Sequence, residues 1–214
     1  EAGLEVVSGW YPYSHNPVYV HRAWASGRRI AVIGASDSHR RNAGLAGALT
    51  GIWSSELTPA GVLQGIRSRR TLATQGRRPV VWMELRDERG SRLLLGDHGR
   101  MHGRLTAAVH VRVEQTSVPA SEEERLELVE LTHGDRVLAN WSGADFRDGG
   151  RELDIEHTLP PKQPEPHLYQ TEMLPPYYVY LRIRHAGADR EYTYNAAAHR
   201  GPWVWTSPIW WEWD

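Results

Sequence analysis

Asp37 and His39 are the residues whose types and spacing most directly suggest chemistry. They lie in Ser36-Asp-Ser-His39, just after the apolar run Ile30 to Ile33 and Gly34-Ala35. In an extended chain, side chains two apart share a face, so the carboxylate and the imidazole point the same way. That pair suits a divalent metal. Arg40 and Arg41 follow directly, and guanidinium groups there would hold an anionic substrate. A catalytic zinc site takes about three protein ligands plus water. The motif offers two, so the metal site is expected to be incomplete within this chain. No residue is assigned a catalytic role. The plainer alternative is a hydrogen-bonded Asp/His pair closing a loop, with Arg40 and Arg41 as solvated charges.

Other candidates are weaker. Glu5 sits inside an apolar strand, where a charge needs a reason; it either faces a site or makes a salt bridge at a sheet rim. His15 falls in a polar loop after that strand. Arg70 and Thr71 read as a packed helix end. His98 and His102 are four apart, but flanking glycines argue against a helix and no Glu sits in the metalloprotease position. There is no Gly-x-Ser-x-Gly elbow, phosphate loop or Gly-x-Gly-x-x-Gly. This disfavours a serine hydrolase, an ATPase and a Rossmann dehydrogenase.

The elements that must position Asp37 and His39 follow from pattern. Residues 3 to 8 read as a first strand. Asn16-Pro17 opens a helix, with Val20, Ala23 and Trp24 at helical spacing and Gly27 as its stop. The strand at 30–35 completes a βαβ unit, which puts the motif at the carboxyl end of a parallel strand, where ligands bind in α/β folds. A short strand follows near Leu49 to Trp53. Thr58 caps a second helix with Pro59 in its first turn, Leu57 as a staple, an apolar stripe of Val62, Leu63 and Ile66, and a stop near Arg70.

From Pro79 the period changes to two. Strands are expected at 80–86, 93–95, 105–114, 125–131, 137–141, 152–159, 177–184, 191–194 and 203–213, with Gly134-Asp135 as a hairpin turn. Such a series suggests an antiparallel sandwich. Six prolines between residues 160 and 176 mark a long surface loop. The expected division is therefore 1–78, α/β, and 79–214, all-β.

With 25 basic and 26 acidic residues among 214, the formal net charge is −1. Nothing in that balance points to nucleic acid. No apolar run approaches the ~18 residues of a membrane span. The absence of Cys excludes disulfides and thiolate metal sites. Aromatic usage is skewed to 10 Trp and 9 Tyr against 1 Phe, and five Trp fall in the last twelve residues. Those tryptophans are expected in a core and an edge strand; a sugar-stacking platform is the alternative. The chain begins with Glu1, so a processed protein or a piece of a longer one is expected.

Four stretches together resemble the C-terminal part of PHP-domain metallohydrolases, in the CehA/McbA-like branch. They are Leu4-Glu5-Val6-Val7-Ser8-Gly9; Gly34-Ala-Ser-Asp-Ser-His39; Glu56-Leu-Thr-Pro59 running on to Arg69-Arg-Thr-Leu-Ala-Thr-Gln-Gly76; and Trp205-Thr-Ser-Pro-Ile-Trp210. The resemblance implies the last βα units of a distorted (β/α)7 barrel at 1–78, followed by an antiparallel β-sandwich at 79–214. It implies a metal-dependent hydrolase of phosphate or other small-molecule esters, using Zn, Mn or Fe, with Asp37 and His39 as metal ligands. The family's early His-x-His motif and middle ligands would lie in a barrel segment upstream of Glu1, so this piece alone is expected to be inactive. A non-catalytic, Trp-rich β-sandwich binding module with a barrel remnant is the alternative of a different class.

Overall fold

The computed structural model describes residues 3–8, 17–36, 48–75, 78–114, 124–134, 136–159, 177–186 and 203–214. The first βαβ unit forms as its sequence dictates. Strand β1 (Gly3–Ser8), helix α1 (Pro17–Ala25) and strand β2 (Ala31–Ala35) follow in order, and β1 and β2 pair in parallel from Gly3↔Ala31 to Ser8↔Ala35. Gly27, at φ +80, supplies the left-handed residue that ends the helix.

The next unit departs from expectation. Strand β3 (Ala48–Ile52), helix α2 (Pro59–Arg67) and strand β4 (Thr71–Gln75) form a hairpin whose strands are antiparallel, Ile52 opposite Thr71. Thr58 does cap the helix, its hydroxyl accepting the Gly61 N–H at 3.0 Å, with Pro59 in the first turn. But α2 does not cross a sheet face on its apolar stripe. Its buried residues are Gly61 and Gly65. A Cβ on Gly61 would lie 2.5 Å from the Glu56 carbonyl oxygen, and one on Gly65 2.5 Å from Ile52 Cγ2. The helix therefore folds down onto the end of β3, and the chain returns beside the strand it left. Leu63 is 51% exposed, and Leu57, 97% exposed, staples nothing.

After residue 78 come β5 (Val80–Asp87), β6 (Arg92–Leu94), β7 (His98–Met101), β8 (Leu105–Arg112), β9 (Leu126–His133), β10 (Arg136–Trp141), β11 (Glu152–Thr158), β12 (Tyr177–His185), β13 (Trp203–Thr206) and β14 (Ile209–Trp213). β11-β8-β5-β6 is an antiparallel sheet. The larger sheet runs β10-β9-β12-β13-β4-β3, with β14 paired to both β12 and β7. It is mixed, since β14 and β7 are parallel. The expected single strand at 203–213 is broken at Ser207-Pro208: its first half pairs with β4 and its second with β7. The strand expected at 191–194 lies outside the described residues.

These pairings correct the expected fold. The described residues hold two α-helices among fourteen strands, in mixed sheets, and do not form the end of a PHP-type (β/α)7 barrel joined to a sandwich. The physical reason lies in the second unit. A barrel needs every helix to return the chain to a parallel neighbour. Here α2 closes a hairpin, and β4 takes its second partner, β13, from the far end of the sequence.

The large sheet is a middle layer. Along β12, Val179, Leu181 and Ile183 point into a core shared with Val81, Met83 and Val109 of the four-stranded sheet. Tyr178 and Tyr180 point the other way, into a second core with Val6, Val20, Trp24 and Val32 of the βαβ unit. A strand buried on both faces is apolar at both parities, and β12 is so from Tyr178 to Leu181, before Arg182 and Arg184 take over the tyrosine parity. Trp205, Trp210 and Trp211 are core residues, so most of the C-terminal tryptophan cluster packs inward.

Candidate functional site

Strand β2 delivers Ser36 to the carboxyl edge of the parallel pair, level with the end of β1. One edge of β2 pairs with β1; the other is satisfied by side-chain hydroxyls of the large sheet. Thr71 Oγ1 donates to the Val32 carbonyl at 2.6 Å, and the Val32 N–H donates to Ser207 Oγ at 3.1 Å. The Thr71 proton is thus committed, so Ser207 Oγ–H donates across the 2.9 Å gap to Thr71 Oγ1. A closed ring results, in which two hydroxyls replace a strand partner for Val32. Two residues on, Thr50 Oγ1 accepts the Gly34 N–H at 3.0 Å and donates to the Gly34 carbonyl at 2.6 Å. The approach is close: a Cβ on Gly34 would stand 2.3 Å from the Leu49 carbonyl oxygen.

The βαβ unit is held from above as well. His21, buried on α1, lies 2.8 Å through Nε2 from the Tyr180 hydroxyl. That hydroxyl donates to the Gly134 carbonyl at 3.1 Å, so His21 Nε2 carries the proton and donates to Tyr180.

Asp37, His39, Arg40 and Arg41 lie outside the described residues, as does His15. Among the described residues no group of three or more His, Asp or Glu is placed to hold a metal ion. Glu5 lies on an exposed position of β1. His98 is on a strand, not a helix, and its Nε2 lies 3.1 Å from Glu212 Oε1. The His102 N–H donates to Asp87 Oδ2 at 3.1 Å. Asp87 is buried at the β5–β6 turn, and its Oδ1 also accepts the N–H groups of Arg89 and Ser91 at 2.9 and 2.8 Å. Burial works against its ionised form, yet these donors outweigh it and hold the carboxyl below its ordinary pKa.

A pocket that the sequence reading missed lies where β3, β4, β5 and β6 meet. It encloses about 240 Å³. Trp53 and Trp82 form two of its walls, ring centroids 5.7 Å apart and planes at 83°. Trp53 Nε1–H donates to the Val81 carbonyl at 2.9 Å, which fixes that indole. Trp82 points outward from β5 and is 38% exposed. Met83, Leu94 and Leu95 supply apolar lining, and Arg70 closes one side. The Arg70 side chain is 42% exposed; its ion pair with Asp97 is long, 3.5 Å, and its Nε is buried without a hydrogen-bond partner. The sequence does carry a signal for this pocket. In Val80-Val-Trp-Met-Glu the alternation puts Trp82 on the outward parity, where a large aromatic is conspicuous.

Compared with known proteins, the chain matches no family model, no curated protein and no solved structure.

Proposed function

We propose that Asp37 and His39 contribute a carboxylate and an imidazole to a divalent-metal centre that hydrolyses a phosphate or other small-molecule ester. The observation that carries this reading is the position of the motif. In the sequence it follows directly on Ser36, which stands at the carboxyl edge of the parallel pair β1–β2, the edge at which α/β folds bind ligands. The four stretches that resemble PHP-type hydrolases support it independently of the fold they were expected to build. Asp37 and His39 are two ligands of a centre that takes about three protein ligands plus water. When bound, Zn, Mn or Fe supplies a polarised ester oxygen and a water acidified to pKa about 7. Arg40 and Arg41 hold the anionic part of the substrate. The backbone of β2, fixed at Val32 and Gly34, holds the strand end from which the motif continues in sequence.

The test uses the purified protein loaded with zinc, manganese or iron in turn. Asp37→Asn and His39→Gln are expected to lower bound metal and to abolish hydrolysis of p-nitrophenyl phosphate and p-nitrophenyl acetate. Unchanged metal content and unchanged hydrolysis in both variants would overturn the proposal.

A further inference from the structure

The Trp53–Trp82 pocket has no part in that reading: none of its lining residues belongs to the Asp37/His39 motif. We propose that it is a binding site for a small planar aromatic carboxylate. Two perpendicular indoles make a corner that receives a flat ring, one indole meeting its face and the other its edge, as aromatic groups prefer. The corner is already formed, because Trp53 is pinned by its bond to the Val81 carbonyl. Preorganised walls lower the ordering cost of binding.

The pocket's polar groups decide between aromatic and sugar ligands. A saccharide needs hydrogen-bond partners around its ring. Here Ser54 Oγ is already engaged, donating to the Glu56 carbonyl at 2.7 Å and accepting the Glu56 N–H at 3.3 Å. The lining from Met83, Leu94 and Leu95 is apolar. What remains is one hydroxyl, on Ser55, too few for a sugar ring, and a single cationic group, Arg70. Its hold on Asp97 is loose at 3.5 Å and its Nε is unpartnered, so the guanidinium is free to turn and take a carboxylate on two N–H groups. Asp97 keeps a second anchor when the guanidinium turns away, because its Oδ2 accepts the Leu94 N–H at 2.9 Å. One cation beside an aromatic corner recognises one anion on a flat apolar body.

Calorimetric titration of the intact chain with benzoate, phenylacetate and indole-3-acetate tests this, with the matching primary amides and methyl glucoside as controls. The acids are expected to bind and the amides to bind about tenfold or more weakly, as a charge-assisted hydrogen bond is lost. Arg70→Gln should erase the difference between acid and amide. Trp82→Ala, at an exposed position where the fold tolerates truncation, should weaken all the acids while leaving the thermal melt unchanged. Equal binding of acid and amide, binding of methyl glucoside in preference to the acids, or no binding of any acid would each overturn the proposal.

Discussion

The hydroxyls of Thr71 and Ser207 meet at 2.9 Å, both fully buried, and between them they complete the hydrogen bonding of a third residue, Val32. Residues 136 apart in sequence thus replace a missing strand. Removing either hydroxyl strands one buried backbone group, which costs about 1–3 kcal/mol. Thr71→Val and Ser207→Ala should each destabilise by that amount in urea unfolding. Because both act on one ring, the double variant should lose less than the sum. Strict additivity would show that the ring does not act as a unit.

Gly34 tests the same interface by volume instead of bonding. Its alanine variant would drive a methyl group against the Leu49 backbone, which has no flexible end to move aside. Gly34→Ala should cost about 1–3 kcal/mol or more through overpacking. Thr50→Val, which removes the hydroxyl serving the same residue, should cost about 1–3 kcal/mol by a different route. Urea midpoints compare the two. A wild-type midpoint for Gly34→Ala would mean that β2 is not held this close to β3.

Tyr180→Phe addresses how α1 is seated. The substitution leaves His21 and the Gly134 carbonyl without their shared partner, so a loss of about 1–3 kcal/mol is expected. Hydrogen exchange should locate the change, with amides of α1 exchanging faster than those of β5 and β8. Uniform acceleration across the chain would contradict a local anchor.

Asp87 gives a pH dependence with a definite sign. Its folded pKa is lowered, so its contribution to stability is present above the ordinary carboxylate pKa. That contribution is lost as pH falls through the depressed folded value. The stability gap between wild type and Asp87→Asn, measured by thermal melts across pH, should therefore be widest near neutrality and narrow in acid. A gap that widens as pH falls would refute the assignment.

What could be read in the sequence was local. Thr58-Pro59 marked a helix start and Gly27 a stop, because caps act within one turn. The alternation along 105–114 and 177–184 marked strands, found at Leu105–Arg112 and Tyr177–His185, because side-chain parity is a property of the strand itself. Pairing was not legible. β4 is a short Thr-Leu-Ala-Thr-Gln run whose identity comes from partners on both sides, one of them β13. The barrel expectation failed at this point: nothing local to 53–70 says whether the chain returns parallel or antiparallel. The pair Gly61 and Gly65 held the answer, since two glycines on one helix face permit a close seat on a strand end. The pocket was missed for a similar reason. Trp53 and Trp82 lie 29 positions apart and meet only through the fold.

Ser207-Pro208, where one ribbon changes neighbours, also governs the order of assembly. Residues 203–213 supply partners for β4, β7 and β12, and Ser207 closes the ring on β2. All but β12 lie more than a hundred positions earlier. As the chain is synthesised, β7, the second edge of β4 and the ring on β2 wait for this last ribbon, and such distant closure is slow. During that interval the molecule depends on chaperones or on speed, and a ribosome that stalls before residue 203 would release a product prone to aggregate.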